Sequence, residues 1–226
     1  MSNIAPWKIG LAVFGILLAA FAASWVLTGE YTTEQTAERS FVINEDFTKI
    51  RKIMVRTNAA KEIITMGGTS EFVDQKWEEG SVQTDASTFG EALLKTVFSA
   101  EPNWKLQLKG ILKVRTLDDY VGHEVVTLEQ NVEIAPDFIN SVSDMIEGSE
   151  RLLGYQLTTR MEREENHTRI TLTLTQKIKT HAPWFAHSIA DRRVKESAAR
   201  SIEKQEAAMV ELIEANKDQT WLFPLN

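Results

Sequence analysis

WKLQLKGILKVRTL, residues 104–117, places large apolar side chains on alternate positions. Trp104, Leu106, Leu108, Leu112 and Val114 share one parity; Lys105, Gln107, Lys109, Lys113 and Arg115 share the other. A period of two is that of a β-strand with one dry face and one wet face. Three later stretches repeat the pattern. VVTLEQNVEI (125–134) holds Val126, Leu128, Val132 and Ile134 on its dry parity. LLGYQLTTRM (152–161) holds Leu153, Tyr155, Leu157 and Met161, and RITLTLTQKI (169–178) holds Ile170, Leu172, Leu174 and Ile178. On the last of these, Arg169, Thr171, Thr173, Thr175 and Lys177 point outward. Such alternation predicts an antiparallel sheet solvated on one side.

Working outward, RSFVIN (39–44) reads as a short first strand and SEFVDQKWEE (70–79) as another, which brings the sheet to about six strands. Between them EDFTKIRKIM and NAAKEIITM read as two short helices broken near Arg56-Thr57-Asn58, with Gly67-Gly68 as the stop. STFGEALLKTVFSA (87–100) reads as a helix closed by Pro102, and PDFINSVSDMIEGS (136–149) as a helical or loop excursion. A long helix opens at Pro183, which suits a first helical turn. Its stripe is Ile189, Val194, Ala198, Ile202, Met209 and Leu212 at helical spacing.

The N-terminus is of another kind. From Ile9 to Thr28, twenty residues run without a charge, with Trp7 and Trp25 near the two ends. At about 1.5 Å per residue a helix of that length covers the roughly 30 Å hydrocarbon core of a bilayer. The segment is read as a transmembrane anchor. A cleaved signal peptide is the alternative, since Ala20-Phe21-Ala22 fits a small-x-small site, but the apolar run continues through Trp25, Val26 and Leu27. Lys8 precedes the span, and Glu30, Glu34 and Glu38 follow it. The positive-inside rule then puts the N-terminus in the cytoplasm and the following domain outside it. The organisation expected is a flank at 1–8, an anchor at 9–28, a polar tether at 29–36, one domain at 37–216 and a tail at 217–226.

Composition narrows the function. The chain has 226 residues, enough for one good-sized core. Net charge is -7, and -8 beyond the anchor because Lys8 is the sole charge before Glu30. An acidic domain without a basic, aromatic-interleaved stripe does not grip nucleic acid. With no cysteine, disulfides and thiolate metal sites are excluded. The histidines, His123, His167, His181 and His187, have no metal-ligand spacing, and the acidic runs read as solvated faces. No G-x-S-x-G, phosphate loop or dinucleotide fingerprint occurs, so neither a metal nor a cofactor is expected. Asn166-His167-Thr168 matches a glycosylation acceptor, which matters only in a eukaryotic secretory setting.

A β-αα-βββββ-α order, with ERSFVIN opening the domain after a membrane segment, resembles the START/Bet v 1-like (SRPBCC, polyketide-cyclase-like) superfamily. The resemblance implies an α+β helix-grip fold over about residues 37–215, a curved antiparallel sheet around a long C-terminal helix. Many bacterial members place a membrane anchor just before a strand of the form R-S-x-x-I-N. Departures are Glu45-Asp46 where members often carry Ala-Pro, NAAKEIITMGG where they carry tryptophans, and the extra segment 87–100. The resemblance also implies a cavity for an apolar ligand between sheet and helix. Polar residues placed singly among apolar walls support that independently. The candidate ligand-binding set is Trp104, Leu108, Leu112, Gln130, Tyr155, Thr159, Gln176, Ala198 and Gln205.

Three functions are compatible with this reading. The first is a membrane-anchored domain that binds a hydrophobic small molecule or lipid without chemistry. The second is an accessory domain with a filled core that docks on a membrane protein. The third is a cyclase- or hydrolase-like enzyme. Trp184-Phe185 and the terminal WLFPLN (221–226) are expected to pack against the sheet or the tether, as large apolar groups commonly do. A membrane-facing rim or a gate is the alternative for both.

Overall fold

The computed structural model describes residues 14–16, 28–78, 81–83, 105–117 and 122–219. The chain order is β1 (Thr28–Ile43), α1 (Phe47–Arg56), α2 (Ala59–Gly67), β2 (Ser70–Trp77) and β3 (Ser81–Gln83). Then come β4 (Lys105–Thr116), β5 (Val125–Ile134), β6 (Phe138–Glu147), β7 (Leu152–Glu164), β8 (His167–Pro183), a 3-10 turn (Trp184–Ala186) and α3 (His187–Asn216).

Among the described residues eight strands form one antiparallel sheet, rather than about six. Seven run in the order β1-β8-β7-β6-β5-β4-β2, and β3 pairs with β4 beyond the end of β2. Helix α3 packs on β1, β8 and α2, and α2 packs on β2. The helical layer therefore reaches both edges of the sheet. Six strand spacings of about 4.8 Å make a flat sheet roughly 29 Å wide, more than two helices of about 10 Å can span. The sheet has to curl around them.

The two short helices are where the sequence places them. Asp46 caps α1 by accepting from the Thr48 backbone N–H at 2.8 Å. Asn58 (φ 48°) turns the chain between α1 and α2, and Gly68 (φ 61°) ends α2 in the left-handed conformation. Buried Arg51 donates through Nη1 to the carbonyls of Ala135 and Pro136, both at 3.3 Å, tying α1 to the β5–β6 turn. At the other end Tyr31 donates to Asp191 Oδ1 at 2.9 Å and stacks on His187 at 3.6 Å, fixing the start of α3 against β1.

Several expectations are corrected. Residues 29–36 are not a tether: β1 begins at Thr28 and pairs with β8 over its whole length, from Thr28↔Pro183 to Ile43↔Thr168. Residues 138–147 are strand β6, not a helix or loop. A register shift between Leu152 and Gly154 buries Leu152 and leaves Leu153 43% exposed, reversing the expected parity there. Ile189 is exposed, so the buried stripe of α3 starts at Val194. Trp184 and Phe185 do not pack on the sheet; they are 71% and 58% exposed. The helix expected at 87–100 and the terminal WLFPLN lie outside the described residues, as does the run 9–28 apart from one exposed helical turn at 14–16 and Thr28. Among the described residues no helix is long and apolar enough to cross a membrane.

Candidate ligand site

The register resolves the inward face into rows that cross the sheet. One end row is Leu106, Ile134, Ile139, Met161, Ile170 and Phe41, apolar throughout. With Phe47, Ile50, Ile53, Ile202, Met209 and Ile213 it belongs to one core cluster. Near the opposite end Val114 and Val126 pair on one side and Leu152 and Ile178 on the other, forming a second cluster with Leu112, Leu128 and Val194. The core is split in two, and Tyr155 packs against both parts.

The rows between mix polar residues with apolar ones such as Leu108, Val132, Leu157, Leu172 and Leu174. Ser141 pairs with Thr159, Gln130 with Ser143, and Tyr155 with Gln176, which pairs in turn with Gln35 of β1. Gln75 of β2 joins them by donating its Nε2 to Gln130 Oε1 at 2.9 Å. From α3, Gln205 shares a hydrogen bond with the Tyr155 hydroxyl, while Ser197, Ala198 and Ser201 present small buried groups. Gln130 and Gln176 are each only 6% exposed. Among the described residues, the buried carbonyl oxygens Gln75 Oε1 and Gln176 Oε1 have no hydrogen-bond partner. Such an orphan costs about 1–3 kcal/mol, so each is a place where a partner would be gained.

Burial pushes the Tyr155 phenol up to about 12, against a smaller opposing effect of the Gln205 hydrogen bond. It is neutral at physiological pH. Tyr155 nevertheless keeps some accessible surface, as do Leu108, Val132, Leu157 and Thr159 on the same inward face. These are the partly exposed positions of the inward face, and all but Thr159 pack at the margin of the first cluster. Gly110 lies on the same inward face: a Cβ there would lie 2.8 Å from Trp77 Cε3 and 2.8 Å from the Lys76 carbonyl, so glycine is what lets the indole lie over β4. Arg39, also on an inward position, is engaged by Glu203 and Glu206 of α3. The belt is thus built mainly from amides and hydroxyls, and Arg39 with Glu203 and Glu206, at the end of the Ser141–Thr159–Leu172 row, is its charged part.

No family model and no curated protein matches the sequence. Solved structures similar to it include a Staphylococcus aureus protein of unknown function, at 7% identity and TM-score 0.49 over 84% of this chain and 99% of that one. A Thermus thermophilus protein has 14% identity and TM-score 0.45 over 81% and 98%. The Zhui aromatase/cyclase of a Streptomyces species has 11% identity and TM-score 0.42 over 81% and 96%. The strand order and the helical layer on the concave face assign the architecture by themselves. The chain has a helix-grip fold.

Within the helix grip, the sequence-selected residues separate into three groups. Gln130, Tyr155, Thr159, Gln176 and Gln205 fall in the belt, and Leu108 stands partly exposed on the same inward face. Leu112 (3% exposed) and Ala198 (0%) sit inside packed clusters instead. Trp104 lies outside the described residues. Gln35, Gln75, Ser141, Ser143 and Trp77 were not selected from sequence. Gln35 was assigned to a tether, the serines to a helix or loop, and Gln75 follows a bulge between Phe72 and Asp74 that breaks the alternation. A period-two reading of Ile139, Ser141, Ser143 and Met145 would have exposed the serines. Of the histidines, His123, His167 and His181 are exposed and His187 is stacked on Tyr31. Among the described residues no group of three His, Cys, Asp or Glu is placed to hold a metal.

Proposed function

We propose that the domain binds a hydrophobic small molecule or lipid in the recess between sheet and α3, without chemistry, and that the segment 9–28 holds it at a membrane. The carrying observation is the polar belt between two dry clusters, with Gln75 Oε1 and Gln176 Oε1 buried and unpartnered among the described residues. Acceptors without donors favour a ligand whose polar end is an uncharged hydroxyl or amide N–H. The charges at the belt's margin, Arg39 with Glu203 and Glu206, are already paired with one another, so a ligand carboxylate or ammonium would carry a desolvation cost of several kcal/mol. Binding without catalysis is supported by the belt's chemistry, since amides and a phenol held neutral offer no acid or base near neutral pH.

Native mass spectrometry of the full chain, purified in mild detergent, tests this reading. A retained lipid-sized adduct that is reduced in the Gln176→Leu variant supports it. A clean apo mass accompanied by a bound protein would overturn it in favour of an accessory domain. Protease added to intact spheroplasts is expected to digest the domain; protection until lysis would reverse the proposed orientation.

A further inference from the structure

We propose that the face made by Trp184, Phe185 and Ile189 rests on the bilayer entered by the N-terminal segment. The inference rests on the anchor reading and is independent of the ligand. Three large apolar side chains, 71%, 58% and 44% exposed, lie within six residues at the junction of β8 and α3. Their exposure has no packing role to explain it: the Trp184 and Phe185 rings contact each other edge to face at 5.8 Å. Indole and phenyl rings left in water at this density mark an interaction surface.

The register says what that surface meets. Thr28, the last residue of the uncharged run, pairs with Pro183, and Gly29 pairs with Ala182. Neighbouring strands are about 4.8 Å apart, so Trp184 stands roughly one strand spacing from the point where the run joins the domain. Wherever that run enters a bilayer, these rings are at headgroup depth, the position tryptophan favours. Further along α3, Arg192 and Arg193 follow Ile189 by three and four residues and so share its side of the helix. Apolar groups followed by cations along one helix face suit an anionic lipid surface. The far end of β8, at the β7–β8 turn, carries the exposed Glu164, Glu165 and His167 instead.

The chain contains no cysteine, so single reporters can be placed without background. Full-length Trp184→Cys, Phe185→Cys, Ile189→Cys and, as a control, Glu165→Cys would be labelled with an environment-sensitive NBD fluorophore. Each would be reconstituted in phosphatidylcholine–phosphatidylglycerol vesicles containing doxyl lipid. The expected result is blue-shifted emission at 184, 185 and 189 with quenching several-fold stronger than at 165. Water-like emission at all four positions from protein that co-floats with vesicles would overturn the proposal while leaving the anchor standing. A blue shift without doxyl quenching would assign the face to a second copy or a protein partner, and would also overturn it. Failure to co-float would overturn both the anchor and this surface.

Discussion

Replacing Gln176 with Leu and Gln130 with Leu makes the same chemical change at two belt positions, on β8 and β5, yet the two should shift stability in opposite directions. Both residues are 6% exposed. Gln176 Oε1 has no partner among the described residues, and an unsatisfied buried acceptor costs about 1–3 kcal/mol. Leu has nearly the volume of Gln, so Gln176→Leu recovers part of that cost, about 1 kcal/mol at the conservative end. For a chain of this size, that is a rise in Tm of about 2–4 °C. Gln130 Oε1, by contrast, accepts from Gln75 Nε2 at 2.9 Å. Removing it leaves a second polar atom of Gln75 without a partner, beside the Oε1 that already lacks one. Gln130→Leu should therefore destabilise by about 1–3 kcal/mol, and the Gln75→Leu/Gln130→Leu double variant should recover most of the loss. Differential scanning calorimetry of ligand-stripped protein reads all three. A fall in Tm for Gln176→Leu would show that its carbonyl is bonded in the apo protein and would refute the argument. Extraction and mass spectrometry read the ligand side. One hydrogen bond contributes about 0.5–1.5 kcal/mol net, so Gln176→Leu should weaken retention by about two- to twelvefold.

Leu106 and Leu108 sit two residues apart on the same face of β4, but Leu106 is 0% exposed while Leu108 is partly exposed, as the proposed recess requires. Leu106→Ala should cost about 2–5 kcal/mol, and Leu108→Ala should fall below that range because no new void is enclosed there; urea melts giving equal losses would show a filled core. Tyr155 should ionise near pH 12 in the folded protein, against 10 for an ordinary tyrosine. Because the folded value is the higher one, its contribution to stability is complete below pH 10 and is lost as the pH rises towards 12. The hydrogen bond to Asp191 raises Tyr31 as well, so ultraviolet titration of Tyr31→Phe should keep the tyrosinate near pH 12, and Tyr155→Phe should lose it; its persistence in Tyr155→Phe would sink the assignment.

What could be read from the sequence, and what could not, has one physical cause. β4, β5 and β8 were legible because their dry and wet parities differ sharply: on β8, Ile170, Leu172, Leu174 and Ile178 face four threonine and charged positions. β6 and the first half of β1 were missed because the belt itself crosses them. Ser141 and Ser143 face inward while Val142 and Ile146 face outward, so the contrast that announces a strand is erased. Thr33 and Gln35 do the same between Glu34 and Thr36. The polarity that makes the candidate site hid the strands carrying it. Gln130, Tyr155, Thr159 and Gln176 were found because their own strands keep strong apolar neighbours on the same parity. Leu112 is selected on parity, and Ala198 on its small size in the helix stripe, and neither criterion can tell a packed wall from an open one.

The length of β1 has a mechanical consequence. Sixteen consecutive residues, from Thr28 to Ile43, are in register with β8, and strand hydrogen bonds lie perpendicular to the strand axis. A pull on the chain at Thr28 along that axis loads the ladder in shear, so many bonds resist together instead of opening one by one from an end. Any tension delivered through the N-terminal segment is then shared along the edge strand that carries Gln35, so β1 resists as a unit and Gln35 stays in register with Gln176 while the domain is held.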